Sequence, residues 1–452
     1  MRFFKRSRDK DAPISKHFWF VGLHLSSSAR KLECALLGVD TLRSNSSIVL
    51  QKSVSFDIPE EIAATYHAIR REIELEHDKI NQASSPESQL GATNVRVRAP
   101  KQTTSSSSLT RTLLLRNMIA SIQEEALNEL LADGEVPRNQ VVAVVVNDPG
   151  LWMKSFDSER QYSYLPLTDA GLLAERTGLN VLDALYAKEW TPTGRGNPFL
   201  LLPYWILLGS GTSDKVVVDL GERARWHFLP SSDKDQDSWR RAFTCEASPC
   251  GALLNLFARE SSKGKVCVDV GGKLSVQGRK SQDLLTYWQK FASDIASSKS
   301  THYSPLLPVP SEDDFVEALD RFDSKVSSLD ALCTAVHWIA DSLATSLLEN
   351  ADRIGNSFDF IITGATKQNG LLFSRVSQLL PPSTPQSLND FGFPEDSFDA
   401  IAVAVLGILF ASKIPAASPT LTSTPRERVL GRVTPGSPEA WNRIIEALNS
   451  SR

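Results

Sequence analysis

Between His17 and Asp40 apolar residues fall on both sides of a short polar turn, in WFVGLHL, then SSSAR, then KLECALLGV. That pattern predicts a strand, a tight turn and a returning strand. Ile48–Phe56 predicts a third strand, and the β-branched run Gln140–Val146 a buried one with neighbours on both sides. Ile58–Leu75 and Leu109–Asp133 carry apolar residues at helical spacing, as do Leu284–Ala296, Ser328–Asn350 and Leu371–Leu380. Asp169–Thr177 reads as a helix stopped by Gly178, and Val181–Leu185 as extended chain. Lys215–Asp219 (KVVVD) and Lys265–Asp269 (KVCVD) both read as buried strands, and Phe358–Thr363 as a strand running into a glycine turn. Strands alternating with amphipathic helices predict α/β layers. Residues 1–16 read as a disordered basic tail and 82–108, rich in Ser, Thr, Asn and Gln, as a disordered insertion.

A length of 452 residues allows two or three domains, and 41% hydrophobic content suits a substantial core. The formal net charge of -4 gives no bulk attraction to nucleic acid or an anionic membrane. The longest apolar stretches, Phe199–Leu208 and Ala400–Phe410, fall short of the ~18–20 residues of a membrane span and read as core. Cys34, Cys245, Cys250, Cys267 and Cys333 are odd in number and scattered, which points to free thiols in a reducing compartment. No histidine or second cysteine pair completes a zinc set around Cys245 and Cys250. The basic MRFFKRSRDK start lacks the apolar stretch of a secretory signal; a cytoplasmic protein is expected, with a mitochondrial presequence left open.

Four segments occur in a telling order: ITGATKQN (Ile362–Asn369), FPEDSFDAIAVAVL (Phe393–Leu406), SPTLTS (Ser418–Ser423) and VLGRVTPG (Val429–Gly436). Their order and spacing resemble the C-terminal third of the anhydro-N-acetylmuramic acid kinase family. The resemblance implies a two-domain actin-like ATPase (ribonuclease H-like) sugar-kinase fold with an interdomain cleft. By that analogy one α/β domain takes residues 17–150 with 425–452, and the other 151–424. It also implies ATP and Mg²⁺ as cofactors and a small anhydro amino sugar as substrate, with homodimerisation open.

Phosphoryl transfer needs donors around the phosphates, a counter-charge, and a carboxylate that activates the attacking oxygen. The family's first phosphate turn reads Gly-Thr-Ser-Leu-Asp-Gly; Ser26–Lys31 falls on it, keeping hydroxyls at Ser27 and Ser28 but placing Arg30 at the aspartate. Its second turn falls on Asp219–Arg225, where Gly221 survives and Glu222 replaces a glycine. Glu222 would repel phosphate, with Arg223 and Arg225 as candidates to offset it. CEASPCGALLN (Cys245–Asn255) resembles a further stretch that leads into a helix, with Glu246 at the family's aspartate. Gly364 and Asn369 match residues that border the nucleotide. Glu189, counted back from Gly194, Gly196 and Pro198, falls on the catalytic aspartate; it reads either as the general base or as a solvated loop carboxylate. Gly194 and Gly196 would shape the substrate loop. Asp399 falls on a sugar-holding glutamate, and reads equally as an acid in a helix's first turn. Three functional readings follow: an active kinase of this type, a pseudokinase retained as a binding or regulatory protein, and a kinase for another sugar.

Overall fold

The computed structural model describes residues 5–6, 18–43, 46–83, 106–154, 162–185, 199–233, 237–298, 312–322, 325–355, 357–380, 384–422 and 426–450. Most of the tail and of the Ser-rich insertion lies outside these; within the tail, expected to be disordered, Lys5–Arg6 forms a two-residue strand. The chain divides into two compact units: Arg6–Gly194 with Asp399–Ser418 and Thr424–Arg452, and Met1–Lys5 with Arg195–Phe398 and Pro419–Ser423. We call them unit A and unit B.

Phe18–Leu25 lies inside the sheet of unit A. It pairs antiparallel with Lys31–Val39, Phe18 opposite Val39 and Leu25 opposite Leu32, and parallel with Val141–Asn147, Gly22 opposite Val145. Ser47–Asp57 continues the sheet beyond Lys31–Val39, and Val181–Asp183 then Arg432–Thr434 continue it on the other side. Successive strand residues face opposite ways. Trp19, Val21, Leu23 and Leu25 enter one core with Tyr66 and Ile69 of the Glu60–Ala83 helix and Leu115, Ile119 and Leu127 of Ser106–Leu130. Gly22 faces the other way, toward the helix Phe398–Ala411, where a Cβ would lie 2.0 Å from the Ala400 carbonyl oxygen. On that helix, a Cβ on Gly407 would lie 2.4 Å from Val145 Cγ2 and 2.8 Å from Phe20. At Gly22 strand backbone meets helix backbone, and at Gly407 helix backbone meets the Val145 and Phe20 side chains, which glycine alone permits at both positions.

The VLGRVTPG segment is structural. Gly431 has φ of +100°, Val433 pairs with Leu182, and the Arg432 guanidinium donates to buried Asp183 at 3.1 and 2.6 Å. Asn180 locks the join, accepting the Gly436 N–H at 3.1 Å and donating to the carbonyls of Val142 and Ala440.

Unit B carries a four-stranded sheet in the order Phe243–Pro249, Arg223–Leu229, Asp214–Leu220, Phe358–Thr363, with only the last pair parallel. Val216, Val218 and Leu220 pack against the helices Gly251–Ser261 and Ser328–Glu349 in one core. Ser327 caps the longer helix, its hydroxyl accepting the Asp330 N–H at 3.1 Å. Among the described residues that helix alone is long and apolar enough to cross a membrane, and 61% of its apolar window is buried within the protein. The KVCVD run is not a strand: Cys267, Val268 and Val270 are exposed and the chain enters a short turn at Val270–Gly272. It resembles KVVVD in composition, but no strand among the described residues pairs with it.

Candidate functional site

In unit B three turns converge. Leu220–Glu222 ends one strand, Cys250–Gly251 opens a helix, and Gly364–Thr366 follows the parallel strand Phe358–Thr363. The Gly221 carbonyl accepts from the Gly251 N–H at 3.0 Å and from the Thr366 hydroxyl at 3.0 Å. The Glu222 carbonyl accepts from the N–H groups of Cys250 and Ala252. Gly364, at φ +94°, has no room for a side chain: a Cβ would lie 2.4 Å from the Leu220 carbonyl carbon. Gly251 is equally confined, 2.5 Å from Thr366 Oγ1. The Thr366 side chain is tied to the neighbouring turn by that hydrogen bond.

Asn369 is buried and belongs to a polar knot. Its Oδ1 accepts the Leu372 N–H at 3.1 Å, capping Gly370–Leu379, and its Nδ2 donates to Asp269 Oδ2 at 3.1 Å. Asp269 also accepts the N–H groups of Leu274 and Ser275 at 2.7 and 3.0 Å. Gly272, at φ +75°, lets Asn369 approach, since a Cβ there would lie 2.8 Å from its Oδ1. Gly221 and Gly364 thus share one corner, with Asn369 closing the far end of the Gly364–Asn369 turn. The two arginines expected to offset Glu222 are engaged elsewhere: Arg223 pairs with buried Glu246, and Arg225 lies 3.4 Å from Asp219.

In unit A the Ser26–Lys31 turn is tied by Ser26, whose Oγ accepts the N–H groups of Arg30 and Lys31 at 3.2 and 3.1 Å. Ala29 takes φ of +54°, Ser28 is buried and Ser27 exposed. Arg30 holds both carboxylate oxygens of Glu60, one at 2.8 Å, at the start of the Glu60–Ala83 helix.

Asp399 sits in the first turn of Phe398–Ala411, with Oδ2 3.5 Å from His24 Nε2. His24 Nδ1 lies 2.8 Å from Asn147 Nδ2, at the matching end of the parallel neighbour strand. With the amide donating to Nδ1, the imidazole carries its proton on Nε2 and directs it at Asp399. Sequence reasoning missed His24 and Asn147; their shared position at the ends of paired strands was the available signal. Beside them Asp148 is buried, and burial raises its carboxyl above the usual range against four hydrogen bonds that lower it. Glu189, Gly194 and Gly196 lie outside the described residues.

A family model described as "Anhydro-N-acetylmuramic acid kinase" matches residues 72–436, well over half of the chain. The chain belongs to the anhydro-N-acetylmuramic acid kinase family. A relative of that name from Synechococcus sp. (strain CC9902) is 25% identical over 65% of this chain and 77% of its own. Another, from Cupriavidus pinatubonensis, is 24% identical over 72% of this chain and 83% of its own. Among solved structures, a ROK family glucokinase from Streptomyces griseus is 11% identical with a TM-score of 0.32, covering 86% of this chain and 98% of that one. Membership makes this an α/β protein of the sugar-kinase type and anhydro-N-acetylmuramic acid kinase-like, with ATP and a sugar as the ligands its family implies. The matched span begins after the Ser26–Lys31 turn.

Proposed function

We propose that the protein transfers the γ-phosphoryl group of ATP to the 6-oxygen of an anhydro amino sugar, opening the anhydro ring. Beyond family membership, the observation that supports this reading is the glycine-confined corner of unit B, where Gly221, Gly251 and Gly364 bring three turns together with Asp219 and Thr366 beside them. Such turns after strands suit a nucleotide's approach. In this reading water adds to C1 as the C1–O6 bond breaks. O6 bonds to the γ-phosphorus as the bond to ADP breaks, and the water's proton passes to Glu189. Ser27, Ser28 and Gly221 would line the phosphates, Gly364 and Asn369 the adenosine end. Asp399, oriented by His24, would accept a sugar hydroxyl, and Gly194 and Gly196 would shape the substrate loop. We place the enzyme in the cytoplasm; the bacterial relatives lend nothing to a mitochondrial address.

The resemblance also implies Mg²⁺, and the donor set near the turns can be tested for it. Among the described residues no group of three His, Cys, Asp or Glu could hold a metal ion. Asp219 faces Arg225, Glu246 is taken by Arg223, and Asp269 is filled by two N–H groups and Asn369. The side chain at position 30 is a cation. These residues do not fit a metal, and no step is routed through one.

The test is sugar-dependent ADP release by the full chain with ATP and 1,6-anhydro-N-acetylmuramic acid. Saturable release that falls at least a hundredfold in Glu189→Ala is expected. ATP binding with no sugar-dependent release would overturn the assignment, in favour of another sugar if a sugar screen restores turnover and of a pseudokinase if none does.

A further inference from the structure

We infer that Arg30 is a built-in counter-charge for the polyphosphate of the nucleotide, held ready by Glu60, so that nucleotide binding needs little divalent cation. The inference rests on the phosphotransfer reading above. Arg30 stands just past the carboxyl end of Phe18–Leu25, the strand at which the sheet of unit A changes from antiparallel to parallel pairing. Ligands of open α/β sheets bind outside the carboxyl ends of strands. The backbone at this turn is fixed by Ser26 and by the positive φ of Ala29, and Ser27 is exposed. What remains adjustable is the Arg30 side chain.

Its present partner is a weak competitor. The Arg30 and Glu60 side chains are 27% and 60% exposed, so solvent and salt screen this bidentate pair, chiefly from the Glu60 side. A phosphate group offers the same fork geometry with more charge, and guanidinium takes it bidentately. Glu60 loses little when released, because it lies with Glu61 in the first turn of its helix, where an acid is favourable. A guanidinium also keeps its charge throughout the working pH range. The turn therefore carries its own cation where a metal-binding carboxylate would need one from solution.

Titration calorimetry of the full chain with ATP, in EDTA and in MgCl₂, tests this directly. The native protein should bind in both, with Kd differing by less than about threefold. In EDTA, Arg30→Ala should weaken ATP about tenfold or more, the loss of one bidentate charged pair, and leave adenosine unchanged. Glu60→Gln should tighten ATP about twofold by removing the competitor. Both variants break the same ion pair, so equal melting temperatures with opposite effects on ATP separate ligand binding from folding. Unaltered ATP affinity in Arg30→Ala would overturn the inference and leave the pair a strut. Binding by the native chain in MgCl₂ alone would overturn it while the kinase reading stands. Failure to bind ATP in either buffer would overturn both.

Discussion

Asn369 is the residue whose replacement is most informative, because its amide is used at both ends. Asn369→Ala removes a helix N-cap, worth about 1 kcal/mol. It also removes the Nδ2 donor 3.1 Å from buried Asp269, a charged hydrogen bond worth about 1.5–3 kcal/mol. Asp269 keeps two backbone donors, so its carboxylate is not stranded and the two terms bound the loss. Together they give about 2–4 kcal/mol, and at about 2–4 °C per kcal/mol for a unit of this size a fall in Tm of about 4–16 °C. Differential scanning calorimetry of the two proteins measures it. Asn369→Ser, which keeps a capping acceptor, should recover roughly the cap's share. Asn369→Asp should be worse than alanine at neutral pH, since it sets a second carboxylate beside Asp269, and should improve on acidification as one of the two takes a proton. A fall of less than about 2 °C in Asn369→Ala would refute the reasoning, and would mean that the knot contributes no more than solvent does.

Gly22→Ala should lower stability by about 3 kcal/mol or more, read by urea unfolding, because its Cβ would overlap the Ala400 carbonyl. His337 is held neutral first by burial and then by Arg375 and Lys280, so its pKa lies below the ordinary value. Its protonation therefore favours the unfolded chain, and stability should be lost as pH falls through the unfolded value of about 6.5; urea midpoints at pH 7.5 and 5.5 should show a smaller drop in His337→Gln. Cys267 is exposed whereas burial pushes the Cys34 and Cys250 thiols up. Native protein at pH 8 should label quickly with iodoacetamide at Cys267, mapped by peptide mass, and at Cys34 and Cys250 only after unfolding.

The outer frame was legible because periodicity reports burial. WFVGLHL and KLECALLGV form a hairpin, and Asp169 and Gly178 bound their helix as spacing and capping required. The strands Arg223–Leu229 and Phe243–Pro249 were not read. RARWHFL mixes charge with aromatics, and its arginines are accommodated by partners on other strands. KVCVD misled for the complementary reason: a β-branched run predicts a strand only where a neighbour supplies the other half of its hydrogen bonds. The candidate site was legible at its glycines, whose need is local. Its charges were not: Arg30 with Glu60 and Arg223 with Glu246 are long-range pairs that no spacing reveals. Nor does spacing show that Asn369 turns inward to Asp269, or that His24 stands between Asn147 and Asp399.

The contact between Phe398–Ala411 and the sheet of unit A has a metrological side. With Gly22 against the Ala400 carbonyl and Gly407 against Val145 and Phe20, the helix rests on the sheet at two bare points and can neither sink nor slide without collision. Asp399 is the next residue back from Ala400, so the seating of a wholly apolar surface sets the height of a carboxylate above the strand ends. Drift at these buried glycines would then move Asp399 relative to His24 as well as loosen the packing beneath it.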